Sequence, residues 1–285
     1  MISQLGGRSS SGRRLALAWQ TVGYVLVAAI MLFPLFWMVA SSFKTAQQLQ
    51  ALPPVWLPTQ LDFSAYERAF STVPFARSFL NSFVIAGGTT LGILVTSIMA
   101  GYVFAKLRFR GREVLFGLVL ATMFLPPIVM LVPLFRIVQA LGLTDTLAGV
   151  MLPNLANAFG IFLMRQFVAG IPDEVLESAR IDGASEWTNL WRIVFPLLGP
   201  AIAALAVFAF TFHWNSFLWP LTVLQSPDSQ TVVLALNRLV SYTSAIKFQN
   251  VVMAGAVISV LPNVILFLFL QRSFITGISQ TGLKG

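Results

Sequence analysis

The sequence predicts an all-α polytopic membrane protein with six transmembrane helices and with both termini in the cytosol. Of the 285 residues, 57% are hydrophobic and 10% are charged, and the mean hydropathy is +0.82, which is typical of membrane proteins. Six runs without charged residues are each long enough to cross a hydrocarbon core of about 30 Å, which takes about 20 helical residues. These runs are Leu15–Phe43, Ser78–Ala105, Val114–Phe135, Thr146–Met164, Ile193–Pro227 and Phe248–Gln271.

The distribution of Lys and Arg predicts the orientation of the six helices. With cytosolic termini, twelve of the 18 basic residues lie on the cytosolic side and six lie outside, as the positive-inside rule favours. The short turn Lys106–Arg112 carries the strongest signal, because short loops dominate the orientation. The cytosolic set is Arg8, Arg13, Arg14, Lys106, Arg108, Arg110, Arg112, Arg165, Arg180, Arg192, Arg272 and Lys284.

Two segments outside the membrane suggest an external contact, and the third span suggests a broken helix. Two outer segments, Lys44–Arg77 and Ser226–Asn250, are long and amphipathic, and we expect them to face an external partner. The third span contains Pro126, Pro127 and Pro133, which interrupt its backbone hydrogen-bond ladder. Both a helix that lines a pathway and a kinked packing helix fit this pattern.

The most charged stretch lies between the fourth and fifth spans. Five of the ten acidic residues fall within fourteen positions there, namely Asp173, Glu174, Glu177, Asp182 and Glu186. Pro172 can open a helix because it lacks an N–H group, and acidic residues favour the positive end of the helix dipole. We expect Gly183 to end this helix in the left-handed conformation.

A second helix is predicted to follow Gly183. Ser185 is its expected N-cap. Trp187, Leu190, Trp191 and Val194 then form one apolar stripe at helical spacing, and Pro196 marks the return into the bilayer.

The residues of this loop resemble the EAA loop of ABC importer permeases. The resemblance rests on Glu-x-Ala, then Asp-Gly-Ala, then Ile-x-x-Pro, carried here by Glu177, Ser178, Ala179, Asp182, Gly183, Ala184 and Pro196. The sequence departs from the family pattern at Ser178, where Ala is most common. In that family the loop is a short coupling helix that seats in a cleft of the ATPase subunit. An ordinary surface helical hairpin is the alternative interpretation.

The resemblance covers about Phe79–Gly285 and is to the maltose-permease type of binding-protein-dependent carbohydrate importers. It implies one half of a heterodimeric channel, two partner subunits that hydrolyse ATP-Mg, and an extracytoplasmic solute-binding protein. The tail resembles family tails that contact the ATPase dimer, through Gly282, Lys284 and Gly285. The expected divisions are a cytosolic segment (1–14), a first helix with an outer segment (15–78), a five-helix core (79–271) with its coupling loop (170–196), and a cytosolic tail (272–285).

The sequence argues against several other chemistries. There is no Gly-x-x-x-x-Gly-Lys-Ser/Thr loop, so we expect no ATP site in this chain. One histidine and no cysteine indicate neither a metal site nor a bound cofactor, and no catalytic residue is predicted. An ion-coupled secondary transporter is less favoured, since such proteins place ionisable residues within spans. An intramembrane enzyme lacks a recognisable nucleophile motif.

Polar side chains in the fourth and fifth spans are candidates for lining a pathway, because polar groups at membrane depth tend to face a cavity or another helix. Hydrogen bonds that hold the bundle together are the alternative. The absence of charge in the spans favours an uncharged solute such as a sugar over glycerol phosphate or a polyamine. The candidate pathway residues are Asn154, Asn157, Trp214, Asn215 and Ser216.

Overall fold

The computed structural model describes residues 10–242 and 248–281. These residues form helices and loops and contain no β-strand, so the all-α class is confirmed. We number the helices in chain order. They are α1 (Ser10–Ser42), α2 (Ala46–Gln50), α3 (Ser64–Thr72), α4 (Phe75–Lys106), α5 (Arg112–Thr122), α6 (Pro127–Ala140), α7 (Leu147–Met151, continued by a 3-10 turn), α8 (Ala158–Ala169), α9 (Asp173–Ile181), α10 (Glu186–Leu197), α11 (Gly199–Trp214), α12 (Leu218–Val223), α13 (Val232–Tyr242) and α14 (Gln249–Thr281).

Three helices are long and apolar enough to cross a membrane alone, namely α1, α4 and α14. Three further spans exist only if each of three bent helix pairs counts as one. The pairs α5/α6, α7/α8 and α10/α11 bend by 101°, 43° and 79°. The described residues therefore hold three to six candidate spans, and the third, fourth and fifth predicted spans are bent helix pairs.

The first break lies at the prolines that the sequence indicates. Helix α5 ends at Thr122, and α6 begins at Pro127 after an extended Pro126 with φ −60° and ψ 129°. A residue before proline is driven out of the α-helical region, so two adjacent prolines separate the helices. The prediction of an interrupted third span is confirmed.

The chain forms two compact units. The first takes in the described residues up to Ala69 together with Tyr242–Val257. In it, the Ser42 and Tyr66 hydroxyls share a hydrogen bond of 2.8 Å just beyond the apolar part of α1. The Asn250 amide donates to the Lys44 carbonyl at 3.1 Å, which joins the start of α14 to the segment after α1.

The second unit comprises Phe70–Ser241 together with the described residues from Ile258 on. Its central helix is α4, which packs against α8 and α11 around a core that includes Ile93, Met164 and Leu205. At Gly101 a Cβ atom would lie 2.9 Å from the backbone nitrogen of Arg165. Only glycine allows α4 and α8 to approach so closely.

The loop that follows α12 is held by Asp145, which lies between α6 and α7. Its carboxylate accepts hydrogen bonds from the backbone N–H groups of Gln225 (2.8 Å) and Ser226 (3.0 Å) and from the Ser229 hydroxyl. The Asp145 N–H donates to the Val223 carbonyl at 2.8 Å. These bonds, with that of Ser229 as the largest cause, hold the pKa of Asp145 at about 2.

The same loop is fixed to α4 from its other side. The Asn81 amide donates to the carbonyls of Asp228 (2.8 Å) and Gln230 (3.1 Å). The Ser82 hydroxyl accepts from the Val232 N–H at 2.7 Å. Hydrogen bonds from α4 thus fix this loop within the second unit.

We expect Asp145→Asn to lower the free energy of unfolding of the detergent-solubilised permease by about 1–3 kcal/mol at pH 7, since charged hydrogen bonds are lost. A carboxyl with a lowered pKa stabilises the fold above its ordinary pKa, and this contribution is lost as the pH falls through the folded value. The difference from wild type should therefore shrink as the pH falls from about 4 towards 2. Thermal unfolding at each pH measures it.

The matched control for this prediction is Asp228→Asn in the same loop. Asp228 pairs with Arg77 at 3.4 Å, but the two side chains are 64% and 63% exposed, and such surface pairs contribute little. Equal unfolding temperatures of wild type and Asp145→Asn at pH 7 would contradict the prediction.

Candidate functional site

The charged loop after α8 forms a short surface helix, α9, as the sequence predicts. It begins after Pro172 and carries Asp173 and Glu174 in its first turn. Leu176 is its one buried residue, at 1% exposure, whereas Glu177 lies on the exposed side. Leu176 is therefore the residue that packs α9 against the rest of the protein, and most of the surface of α9 remains open to a partner.

The end of α9 is a complete Schellman motif. The Gly183 N–H donates to the Arg180 carbonyl at 3.0 Å, and the Ala184 N–H donates to the Ala179 carbonyl at 2.9 Å. Gly183 has a φ of +86°, a left-handed conformation in which a Cβ atom is unfavourable. The prediction that Gly183 ends α9 in the left-handed conformation is confirmed.

The next helix, α10, starts where the sequence indicates but has unexpected geometry. The Ser185 hydroxyl accepts from the Thr188 N–H at 3.2 Å, so Ser185 is the N-cap. Residues Asn189–Val194 are π-helical, a feature often found at functional sites. Pro196 lies in the last turn of α10, and the chain turns by 79° after it, at Leu198, where α10 gives way to α11.

The single apolar stripe predicted for α10 is wrong in detail. Leu190 and Val194 are buried, whereas Trp187 is 61% exposed. Trp187 instead stacks edge-on with Trp191 at 5.6 Å, and Trp191 lies 5.4 Å from Phe195. Because π-helical bonds widen the turn, residues four apart align, and the stripe divides into a buried aliphatic row and an outer aromatic row.

The start of α9 is tied to the end of α4 by Lys106. Its ammonium group donates to the Ile171 carbonyl and to the Asp173 carboxylate, both at 2.5 Å. The Lys106 side chain is 6% exposed, and that of Asp173 is 67% exposed. The hydrogen bond from Lys106 lowers the pKa of Asp173 below its ordinary value.

A second tie joins three helices through Glu186. The Tyr102 hydroxyl of α4, a residue 2% exposed, donates to Glu186 Oε2. From α9, the Arg180 guanidinium donates to the same carboxylate, at 2.7 Å to Oε1 and 3.3 Å to Oε2. Glu186 at the start of α10 is therefore the point where α4, α9 and α10 meet.

A polar cavity of about 280 Å³ lies beside these ties, between the end of α4 and α9. Its walls carry charges of both signs and one buried leucine. The lining residues are Lys106, Leu107, Arg108, Asp173, Leu176, Glu177 and Arg180. The cavity therefore lies between the tie at Lys106 and the exposed side of α9 that carries Glu177.

The predicted pathway residues of the fourth span support their own helices. The Asn154 amide donates to the Val150 carbonyl at 2.9 Å, one turn earlier. The Asn157 side-chain oxygen accepts from the Gly160 N–H at 2.9 Å, which makes Asn157 the N-cap of α8. Both asparagines thus stabilise the break between α7 and α8.

The predicted pathway residues of the fifth span lie in different surroundings. Trp214 is 1% exposed, and its indole donates to the Ser259 carbonyl at 2.9 Å. Asn215 is exposed and accepts from the Asn263 amide at 3.4 Å. Ser216 is half-buried. The structure brings Trp214 and Asn215 against α14 but exposes only the asparagine.

The predicted tail residues Gly282, Lys284 and Gly285 lie outside the described residues. The seven predicted residues of the coupling loop, from Glu177 to Pro196, all lie within the described residues.

The comparison with known families identifies the chain. Residues 88–280 match the family described as "Binding-protein-dependent transport system inner membrane component". The chain belongs to this family. It is therefore a permease subunit of a binding-protein-dependent ABC transport system, and the resemblance seen in the loop is confirmed.

Individual relatives cover almost the whole permease. It is 35% identical over 273 residues to the arabinooligosaccharides transport system permease protein AraQ of Bacillus subtilis (strain 168), with 93% of this chain and 95% of the relative covered. It is 34% identical over 260 residues to the sn-glycerol-3-phosphate transport system permease protein UgpE of Escherichia coli O6:K15:H31 (strain 536 / UPEC), with 89% and 92% covered.

Solved structures share its fold. A chain in the crystal structure of a bacterial ABC transporter involved in the import of the acidic polysaccharide alginate superposes with a TM-score of 0.83 at 26% identity. That match covers 95% of this chain and 100% of the other. A chain of the alginate transporter in complex with alginate pentasaccharide-bound periplasmic protein has the same fold, with a TM-score of 0.65 at 16% identity over 91% and 95% of the two chains.

Sequence reasoning missed the residues that anchor the loop. In the sequence, Lys106 indicates only the topology, Glu186 is one of five clustered acidic residues, and no pattern singles out Tyr102. The available signal was weak. Tyr102 and Lys106 are four residues apart and so share one face of α4, directly before the basic turn.

Proposed function

We propose that the permease forms half of the translocation channel of an ATP-driven importer for an uncharged saccharide. A second permease subunit completes the channel, and two ATP-binding subunits hydrolyse ATP-Mg. An extracytoplasmic solute-binding protein delivers the solute. No Walker A loop is present in the sequence, so the ATP site belongs to the partner subunits.

The observation that carries this proposal is the exposed helix α9 tied at both ends to α4. Lys106 fixes the start of α9, and Glu186 fixes its end. A partner that moves α9 would therefore move the central helix of the second unit. In this proposal the coupling surface consists of Glu177, Ser178, Ala179, Asp182, Gly183, Ala184 and Pro196, with the tail residues Gly282, Lys284 and Gly285 as a further contact.

The proposed topology has six spans and cytosolic termini. It treats each bent pair as one span and places the Lys106–Arg112 turn and α9 on the same side, as the charge distribution favours. The divisions 1–14, 15–78, 79–271 and 272–285 follow from it. The loop held by Asp145 then lies on the outer side, where a binding protein would dock.

Cysteine labelling tests this topology cleanly because the chain has no native cysteine. Gln60→Cys and Pro227→Cys should react with a membrane-impermeant maleimide in intact cells, whereas Arg110→Cys should react only after permeabilisation. All three positions are exposed. Pro227 is a better labelling position than Ser229 in the same loop, because replacing Ser229 would remove its hydrogen bond to Asp145. The opposite labelling pattern would overturn the topology.

Two observations support a saccharide as the solute. AraQ is named for arabinooligosaccharides, and a related solved structure is of a transporter involved in the import of the acidic polysaccharide alginate, so both names support the saccharide class but not its charge. A cavity of about 290 Å³ between α4, α8 and α11 is lined by apolar and neutral polar residues. A phosphate ester would need basic groups along its path. The relatives named for sn-glycerol-3-phosphate make that compound the alternative to test.

The test is transport by the complete transporter in proteoliposomes, assembled with its partner permease, ATP-binding subunits and binding protein. We expect ATP-dependent uptake of a neutral oligosaccharide from a panel that includes arabinotriose and maltotriose. Uptake of glycerol 3-phosphate alone would overturn the saccharide assignment. Uptake by the permease without ATP-binding subunits, driven by an ion gradient, would overturn the importer mechanism.

A further inference from the structure

A basic groove lies at the turn between α4 and α5. It has a volume of about 450 Å³, and most of its lining residues are exposed. Helix α4 ends at Lys106 and α5 begins at Arg112, and both helices belong to candidate membrane spans. The groove therefore lies where a span leaves the bilayer, at the level of the lipid headgroups. Its lining residues are Arg108, Phe109, Gly111, Arg112, Glu113 and Val114.

The groove carries positive charge that the described part of the chain does not neutralise. Its one carboxylate, that of Glu113, is held by Arg112 at 3.0 Å and by Arg165 at 3.2 Å. Arg108 and Arg110, both exposed, form no ion pair with any of the described residues. Two guanidinium groups are therefore available to an anion, and guanidinium groups bind phosphate through paired hydrogen bonds.

The acidic helix α9 does not take up this charge. Arg108 also borders the polar cavity beside α9, but the Asp173 carboxylate there is held by Lys106 at 2.5 Å. Lys106 is the main cause of the lowered pKa of Asp173, and Arg108 is a minor one. Glu177, the other acid of that cavity, forms no ion pair with a described residue. Arg108 is thus available to the groove rather than bound to α9.

An apolar stripe continues from the groove along α5. Val114 lines the groove, and Leu118 and Ala121 follow it at i+4 and i+7, so the three residues share one face of the helix. Val114 and Leu118 are 69% and 60% exposed, and Ala121 is exposed as well. Basic groups at one end and an exposed apolar stripe leading into the bilayer match a phosphate that is followed by an acyl chain.

This combination favours a lipid over the other molecules that could cover the groove. A free anion does not explain the exposed stripe on α5. A second permease subunit follows the same positive-inside rule, so its basic residues on this side would repel Arg108 and Arg110. An acidic surface of an ATP-binding subunit is the remaining competitor, but it would have to cover an apolar stripe that enters the bilayer.

We propose that the basic groove binds an anionic phospholipid, whose phosphate contacts Arg108 and Arg110 while an acyl chain follows Val114 and Leu118 along α5. Basic clusters directly beside a span attract anionic lipids. The site lies next to Lys106, which ties α4 to α9. The inference goes beyond the proposed function and uses the proposed topology only to place the lipid in the cytosolic leaflet.

The test measures lipid binding to the complete transporter in detergent by native mass spectrometry, with phosphatidylglycerol and phosphatidylcholine as the probes. The double variant Arg108→Gln/Arg110→Gln should bind phosphatidylglycerol about tenfold more weakly or worse, since each basic group near a membrane surface contributes about a fivefold factor. Its affinity for phosphatidylcholine should equal that of wild type, because the zwitterionic headgroup carries no net charge.

Two further double variants separate a lipid site from a general loss of charge or structure. Arg108→Lys/Arg110→Lys keeps both charges and should retain most of the phosphatidylglycerol binding. Arg77→Gln/Arg136→Gln removes the same charge from two exposed arginines outside the groove and should bind like wild type. Glycerophosphoglycerol, the soluble headgroup without acyl chains, should not displace the lipid.

Equal phosphatidylglycerol binding by wild type and the glutamine double variant would overturn the lipid site. Displacement of the lipid by glycerophosphoglycerol would do so too, because the groove would then bind a free anion. Loss of the ATP-binding subunits from the glutamine double variant, with lipid binding unchanged, would make the groove a protein contact instead. Lipid binding is measured without a transported solute, so a failure of the lipid site and a failure of the saccharide assignment are separate results.

Discussion

Gly183→Leu should abolish solute uptake and transport-stimulated ATP hydrolysis while leaving membrane insertion intact. A Cβ atom at Gly183 would meet nothing within 4 Å, so the effect arises from the φ of +86° alone. A left-handed conformation costs a residue with a side chain roughly 1–2 kcal/mol. The turn can relieve this cost by giving up the Schellman bonds to Arg180 and Ala179, and α9 then points in a different direction.

The measurements are uptake, ATPase activity and co-purification of the ATP-binding subunits, made together on the assembled transporter. The matched control is Gly117→Leu in α5, because Gly117 also has no neighbour within 4 Å but has no positive φ. The control should behave like wild type. Normal uptake by Gly183→Leu would show that the loop is only a linker, and the coupling proposal would fall.

Glu186→Ala should lower solute uptake about tenfold or more. It removes the acceptor shared by Tyr102 and Arg180 and leaves the buried Tyr102 hydroxyl unpaired, at a cost of about 1–3 kcal/mol. The end of α9 is then no longer tied to α4. The fraction of ATP hydrolysis that is coupled to transport should fall even where the subunits still assemble.

Glu177→Ala is the matched control for Glu186→Ala. Glu177 is exposed, and in the described part of the chain it takes part in neither tie. A surface ion pair with a partner would contribute only about 0–1 kcal/mol, so the loss of uptake should be mild. Tyr102→Phe removes one arm of the Glu186 contact and should have an intermediate effect.

A double-mutant cycle with Tyr102→Phe and Glu186→Ala separates the two arms, because side chains in contact give non-additive effects. Purely additive effects on uptake would argue against a direct Tyr102–Glu186 link. Equal uptake rates for Glu186→Ala and Glu177→Ala would contradict the proposal that Glu186 transmits movement of α9 to α4.

The sequence by itself determined the features that depend on neighbouring residues. The apolar runs predicted where α1, α4 and α14 lie, since the length and composition of a segment decide whether it can span a bilayer. Pro172, Gly183 and Ser185 predicted where α9 starts, where it ends and where α10 begins. Such signals are readable in one sequence because a missing N–H group, a missing Cβ atom or a capping hydroxyl acts within one helical turn.

Only the tertiary structure decided which distant residues meet. Tyr102 and Glu186 are 84 positions apart, and no local pattern joins them. The burial of Trp214 likewise depends on α14, where the indole of Trp214 donates to the Ser259 carbonyl. Contacts of this kind arise because separate helices bury their surfaces together, and a single sequence records which residues are apolar but not which partner each will bury.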